Sequence, residues 1–186
     1  MVKIVTAASS PVIPLSEIRQ HLRLDLLGGS THPDDALIEA YLLAAREYAE
    51  HYTQRSIGAQ TLELALDAFP DGSIDLPLGA SSITFIKYHD TEGTHQTLAS
   101  NQYVLNDYSY TSCVYPVTTW PTTGDYTNAI VIRYVTPSTF SPAVKTALLL
   151  TVAHLYENRE AVGTDKLVEV PLSVDALLNT ARVWAL

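Results

Sequence analysis

The sequence predicts an α+β protein, with a small helical bundle built from both chain ends around an inserted, mostly antiparallel β region. Three observations predict it. Apolar residues recur at three- and four-residue steps in the two outer stretches, which is helical spacing. The middle alternates with a period of two. Pro70, Pro77, Pro116 and Pro121 bound the middle segments and keep them short, as strand prolines do. The pattern reads as a single domain over residues 1–186. Its helical part covers 14–57 and 141–186, and its β insertion covers 60–136.

The first helix is expected from Leu15 to Leu24, with Ile18, Leu22 and Leu24 on an apolar side and Arg19 and Arg23 on a polar one. Pro14 stands where a capping Ser or Thr belongs. Gly28-Gly29-Ser30 breaks the chain. A second helix opens with Pro33 in its first turn and Asp34-Asp35 against the positive end of the macrodipole. Leu37, Tyr41, Ala44 and Tyr48 supply its expected buried stripe. Arg46 and Glu50 can pair on the outside, and Gly58 follows the end.

From Gln60 onward Leu62, Leu64 and Leu66 alternate with Thr61, Glu63 and Ala65, the pattern of a half-buried strand. Ile83–Tyr88 and Thr94–Leu98 flank Asp90-Thr91-Glu92-Gly93, which suits a hairpin turn. Ala129–Val135 alternates again, with Ile130, Ile132 and Tyr134 on one face. Ser141-Pro142 then caps a third helix. Its stretch 147–153 is apolar nearly all round, so it must be enclosed on most sides, by its own domain or by another subunit. Pro171 and Ser173 introduce a last helix striped by Val174, Leu177, Leu178 and Ala181.

The 186 residues include 20 acidic and 11 basic ones, for a formal charge of −9. Residues 56–140 hold eight carboxylates and only Lys87 and Arg133 as cations, so the acidity is concentrated there. Such a chain lacks the basic stripe of a general duplex-DNA binder. Charged residues are only 17% of the total, which leaves surface for contact with other proteins. The single cysteine, Cys113, reads as an inert, partly buried thiol in a reducing compartment. The longest apolar run falls far short of the ~20 residues of a membrane span, so no membrane partner and a cytosolic product are expected.

Reactive chemistry finds little support. There is no phosphate loop, dinucleotide fingerprint, nucleophile elbow or HExxH pattern. The six histidines (21, 32, 51, 89, 95 and 154) lack ligand spacing, so no metal and no cofactor are expected. His89, Asp90 and His95 could form a catalytic group, against the plainer reading of a solvated hairpin tip. Asp34 and Asp35 are accounted for by the helix dipole alone. Tyr103, Tyr108, Tyr110, Tyr115, Trp120 and Tyr126 could make a stacking platform for a glycan or a single strand. Cross-strand pairing and interface packing are the favoured reading of these aromatics. The most suggestive polar cluster is Tyr156, Glu157, Asn158, Arg159 and Glu160, where Arg159 could fork onto a carboxylate of an adjacent chain, with Arg46 as an intramolecular partner. A solvated helix end is its plainer reading.

Taken together, several segments resemble the head–tail connector (adaptor) proteins of long-tailed double-stranded DNA phages and prophages. They are SEIRQHLRLD (16–25), the run 34–70, the Trp120-Pro121 step, AIVIRY (129–134), AVKTALLLTVAHLYENREAV (143–162) and PLSVDALL (171–178). The YENRE segment paired with the Arg-Glu-Tyr helix is the most specific part, and Pro14 departs from the expected cap. The resemblance carries over no catalytic residue and implies a non-enzymatic virion structural protein. It implies copies in a ring, twelve on the virion, below the portal protein. That ring extends the channel through which duplex DNA passes without specific binding, and it docks tail-completion or tail proteins. The implied location is the head–tail junction of the virion, with the host cytoplasm during assembly. The alternatives are another tail-completion or terminator component, or a tyrosine-rich ligand- or glycan-binding module. A heterologous ring contact needs two unlike patches on each subunit, which the apolar third helix and low charge can supply. The acidic middle would suit a channel lining, where like charge keeps phosphates from adhering.

Overall fold

Two segments far apart in sequence make a helical unit, residues 9–57 and 140–186, and the rest of the chain makes a sheet unit, residues 1–8 and 58–139. The computed structural model describes residues 1–9, 11–24, 31–108, 111–159 and 172–183. The expected break at Gly28-Gly29-Ser30, together with Tyr110, Glu160 and Pro171, lies outside those residues.

The helical unit contains α1 (Leu15–His21), α2 (Asp35–Thr53), α3 (Pro142–Glu157) and α4 (Leu172–Asn179). Ile18, Ile38, Leu42, Ala45, Ala49, Val144, Leu148, Val152, Val174 and Leu178 fill its core. α1 begins directly after Pro14 with no side-chain cap and ends sooner than its apolar spacing suggests, at His21. Ser141 caps α3, accepting the Val144 N–H at 3.3 Å, and Pro142 occupies the first turn. α2 closes at Gln54, whose φ of 56° lets its N–H return to the Glu50 carbonyl.

The stripe of α2 differs from expectation. Ile38, Leu42, Ala45 and Ala49 are buried, whereas Ala44 and Tyr48 are exposed. The real stripe is one residue, about 100°, around the helix from Leu37-Tyr41-Ala44-Tyr48. The reason is that this helix is apolar on two adjacent sides, and the partners of the unit select the one with aliphatic and small residues. Arg46 follows that stripe inward. It is 7% exposed and donates to Glu50 Oε1 through Nε and Nη2, both at 3.2 Å, so the expected pair forms but not on the outside. Arg19 also departs from its expected polar side and is buried.

The sheet unit has a five-stranded antiparallel sheet in the order β1-β2-β8-β4-β5 and a three-stranded one in the order β3-β7-β6. The strands are β1 (Val2–Thr6), β2 (Thr61–Leu66), β3 (Ile74–Asp75), β4 (Ser82–His89), β5 (His95–Thr97), β6 (Tyr103–Asn106), β7 (Cys113–Pro116) and β8 (Ile130–Val135). Leu62, Leu64, Ile86, Ile130, Ile132 and Tyr134 from the larger sheet meet Ile74 and Val114 from the smaller in one core. Alternation along β2 and β8 therefore sorts the residues as the period of two requires, whereas a register shift between Ile83 and Phe85 interrupts it in β4. Tyr134 is fully buried, and its hydroxyl donates to the Pro77 carbonyl at 2.9 Å. The β4–β5 hairpin turns at Asp90–Gly93, where Gly93 takes a φ of +81° and Asp90 Oδ1 accepts the Glu92 and Thr94 amides.

β1 is a strand where the sequence pattern suggests no strand. It pairs antiparallel with β2, Val2 opposite Leu64 and Ile4 opposite Leu62. Its β-branched run suits the pleat, but it is exposed throughout and its partner lies more than fifty residues away, so no local signal marks it.

Candidate functional site

The turn entering α2 gathers two ion pairs of the helical unit. Asp35 accepts Arg19 Nε at 2.7 Å and Nη2 at 2.6 Å through its two oxygens, a fork-on-fork pair, and Oδ2 also takes the His32 N–H at 2.9 Å. One residue earlier, Asp34 Oδ2 accepts the Tyr156 hydroxyl at 2.5 Å and Arg159 Nη2 at 2.9 Å. The Arg159 guanidinium lies 4.4 Å from the Tyr156 ring centroid, and its Nε donates to the Tyr156 carbonyl. The end of α3 is thus tied to the start of α2, and α1 to the same turn. The dipole alone does not account for these carboxylates, since each anchors an arginine.

The electrostatics follow from those contacts. The Tyr156 hydroxyl, and then Arg159, hold the Asp34 carboxyl below the ordinary carboxylate range, while the same hydrogen bond pushes the Tyr156 phenol up. Arg19, with the His32 amide, lowers Asp35 likewise. On the neighbouring side of α2, Tyr48 donates to Asp175 of α4 at 2.7 Å, and that bond pushes the Tyr48 phenol up to about 12.

Of the predicted cluster, Tyr156 and Arg159 come together on Asp34, and Arg46 stands apart on Glu50. Glu157 and Asn158 are exposed, with Asn158 Nδ2 donating back to the His154 carbonyl at 2.9 Å. The Asp34 partnership spans more than 120 residues, and nothing in the sequence pairs the two ends.

The histidine hairpin is built for its turn. His89 and His95 pair across β4 and β5 with ring centroids 3.9 Å apart, and Tyr126 packs on His89 at 5.5 Å. Asp90 spends its oxygens on the turn amides and on Gln96 Nε2, which lowers its pKa. The aromatic residues are likewise dispersed. Trp120 stacks on Phe69 at 4.8 Å and donates to the Gly72 carbonyl, Tyr103 is half-buried, and Tyr108 is fully exposed. Cys113 is buried. Among the described residues no group of His, Cys, Asp or Glu is arranged to hold a metal, and no helix is long and apolar enough to cross a membrane.

The phage gp6-like head-tail connector family model matches residues 12–114, more than half of the chain, and the protein belongs to that family. The family is one of phage head–tail connectors, a structural role. The fold is similar along its whole length to chains in solved gene transfer agent particles. One comes from the neck of an empty particle computed with C6 symmetry and one from the virion of a native particle. Each has a TM-score of 0.80 and 22% identity, covering 100% of this chain and 97% of the other. A third, from the neck of a native particle computed with C12 symmetry, has a TM-score of 0.78 and 21% identity over the same shares. No curated protein matches.

Proposed function

We propose that the protein assembles with copies of itself into a ring at the head–tail junction of a virion. The ring lies below the portal protein, extends the DNA channel and presents the surface on which tail-completion or tail proteins dock. One observation carries this reading: the chain belongs to a head-tail connector family and shares its fold, end to end, with chains of particle necks treated with six- and twelvefold symmetry. Physical features of the chain agree. A closed ring needs a heterologous contact, which a charge-poor surface with exposed Leu43, Val104, Tyr115 and Val117 can supply. The segment at and just past the end of α3, with Tyr156 half-buried and Glu157, Asn158 and Arg159 exposed, is the proposed subunit or portal contact, and Glu160 continues it in sequence. Asp34 fixes Tyr156 and Arg159 in place there, so the contact is presented ready-made.

Electron microscopy with mass measurement on the full chain, alone and co-expressed with its portal protein, tests the proposal. Closed rings bound coaxially to the portal are expected. A chain that stays monomeric beside its portal, in a phage whose particles gain tails without it, overturns the reading.

A further inference from the structure

The sheet unit has two outer faces of unlike chemistry. On the five-stranded sheet, Lys3, Glu63, Arg133 and Phe85 stand in one row across β1, β2, β8 and β4. Lys87, two residues along β4, shares that face. Arg133 donates to Glu63 Oε1 through Nε at 2.9 Å and Nη2 at 2.5 Å. The Phe85 ring has two cations against it, Lys87 Nζ at 4.7 Å and Arg133 Cζ at 4.8 Å from its centroid. Together with Val131 they line an open groove of about 310 Å³ that runs to the His89–His95 pair.

Lys3, Lys87 and Arg133 are all the Lys and Arg that the sheet unit has, against eight Asp and Glu. Within the strands of this sheet, Glu63 is the one carboxylate. The charge is therefore largely segregated: the three cations and Glu63 on the face, the other seven carboxylates in the loops and on the smaller sheet. On that smaller sheet, Cys113 and Tyr115 of β7 share the side away from Val114, Cys113 buried and Tyr115 exposed, with Asp75 opposite Cys113 and Val104 opposite Tyr115. Val104 is 56% and Tyr115 43% exposed, Asp75 is exposed, and its strands contain no Lys or Arg.

We propose that these two faces meet between neighbouring copies of this chain, the Phe85–Lys87 face of one against the Asp75–Val104–Tyr115 face of the next. The proposal rests on the ring reading above and names one of its contacts. The occupant is a second copy because the complement of each face is carried by the same chain, on the other side of one core. Two unlike patches on one body are what a head-to-tail contact requires. An ammonium beside an aromatic ring is matched by a carboxylate and a second aromatic ring, the composition of the Asp75–Tyr115 face. Duplex DNA is a poorer match, since Glu63 already occupies Arg133 and too few cations remain to follow a row of phosphates.

Cysteine crosslinking in the full chain, co-expressed with its portal and carrying Cys113→Ser, tests the pairing. Lys87→Cys and Val104→Cys together are expected to yield a ladder of covalent multimers on oxidation. Each alone is expected to yield none, and the two single variants mixed during assembly are expected to stop at dimers. Rings seen by microscopy without a ladder overturn this contact and leave the ring standing. No rings from the wild-type chain overturn the ring reading itself, and a disulfide dimer from Lys87→Cys alone overturns the unlike pairing. Lys87→Glu, at an exposed position that leaves folding intact, is expected to weaken self-association about tenfold or more, and restoration by a further Asp75→Lys supports the pairing. Retention of a 20-base-pair duplex by wild type that Lys87→Glu loses assigns the face to phosphate and overturns the proposal.

Discussion

Asp34 and Asp35 are consecutive, yet one holds Arg159, just beyond the end of α3, and the other Arg19 of α1, and the two arginines sit in different surroundings. Arg19 has a side chain 9% exposed, whereas that of Arg159 is 47% exposed. Removing the carboxylate charge therefore has unequal consequences: Arg159 keeps its water, while Arg19 loses a bidentate ionic partner in a buried setting. Asp35→Asn is expected to lower the thermal midpoint clearly more than Asp34→Asn, and Arg159→Ala to leave the monomer folded while weakening ring closure or portal docking. Calorimetry reads the first comparison, and the yield of tailed particles reads the second. Both aspartates titrate below their ordinary value of 3.8, so their contribution is complete above that pH and is lost as pH falls through the lowered value. The stability gap between wild type and either Asn variant should accordingly close on acidification. Tyr48 has the opposite sign. Its bond to Asp175 contributes fully below the ordinary phenol value of 10.0 and is lost as pH rises toward about 12, a loss that Tyr48→Phe should abolish in alkaline unfolding curves. Such pairings are the least legible level of the sequence, because Asp34 meets Arg159 only after the chain has left the helical unit and returned.

At the scale of the element, what could be read depended on whether one face was chemically unambiguous. β2 and β8 alternate cleanly, and of the residues that alternation selected, Leu62, Leu64, Ile130, Ile132 and Tyr134 are buried and Leu66, at the strand end, is partly so. The Ser141-Pro142 start of α3 and the Asp90–Gly93 turn were legible because capping and turn chemistry is local. α2 was ambiguous, since Leu37, Ile38, Tyr41, Leu42, Leu43 and Ala44 spread apolar area over two sides, and periodicity alone does not choose between adjacent stripes. β1 gave no signal at all, because a short exposed strand is defined by its partner. The stripe assignment has a direct check. Leu42→Ala, at 1% exposure, should cost about 2–5 kcal/mol in urea unfolding, whereas Leu43→Ala, at 48%, should stay within about 0.5 kcal/mol. Equal losses at the two positions would contradict the rotation of the stripe. Ser141→Ala should cost about 1 kcal/mol, the usual value of a lost helix cap.

Across the whole molecule, charge is the property that sequence and structure report in the same terms. The sheet unit holds eight carboxylates, and Asp71, Asp107 and Asp125 stand exposed on its loops, outside the strands that form the two faces assigned to subunit contact. In the proposed ring, a channel bordered by such loops repels phosphate, so DNA held in the neck slides outward without adhering. Reversing the three with Lys changes the sign at those loops while leaving the strands and their cores untouched. The variant should fold with the wild-type midpoint and acquire affinity for duplex DNA that falls steeply with salt. With three added phosphate contacts per subunit, log K should fall with log salt at a slope of about −2.7. Fluorescence anisotropy on a labelled duplex measures that slope, and particles built with the variant should eject their DNA more slowly than wild type. Ejection at the wild-type rate from particles whose neck protein has gained DNA affinity would place these loops away from the channel, on the outside of the ring.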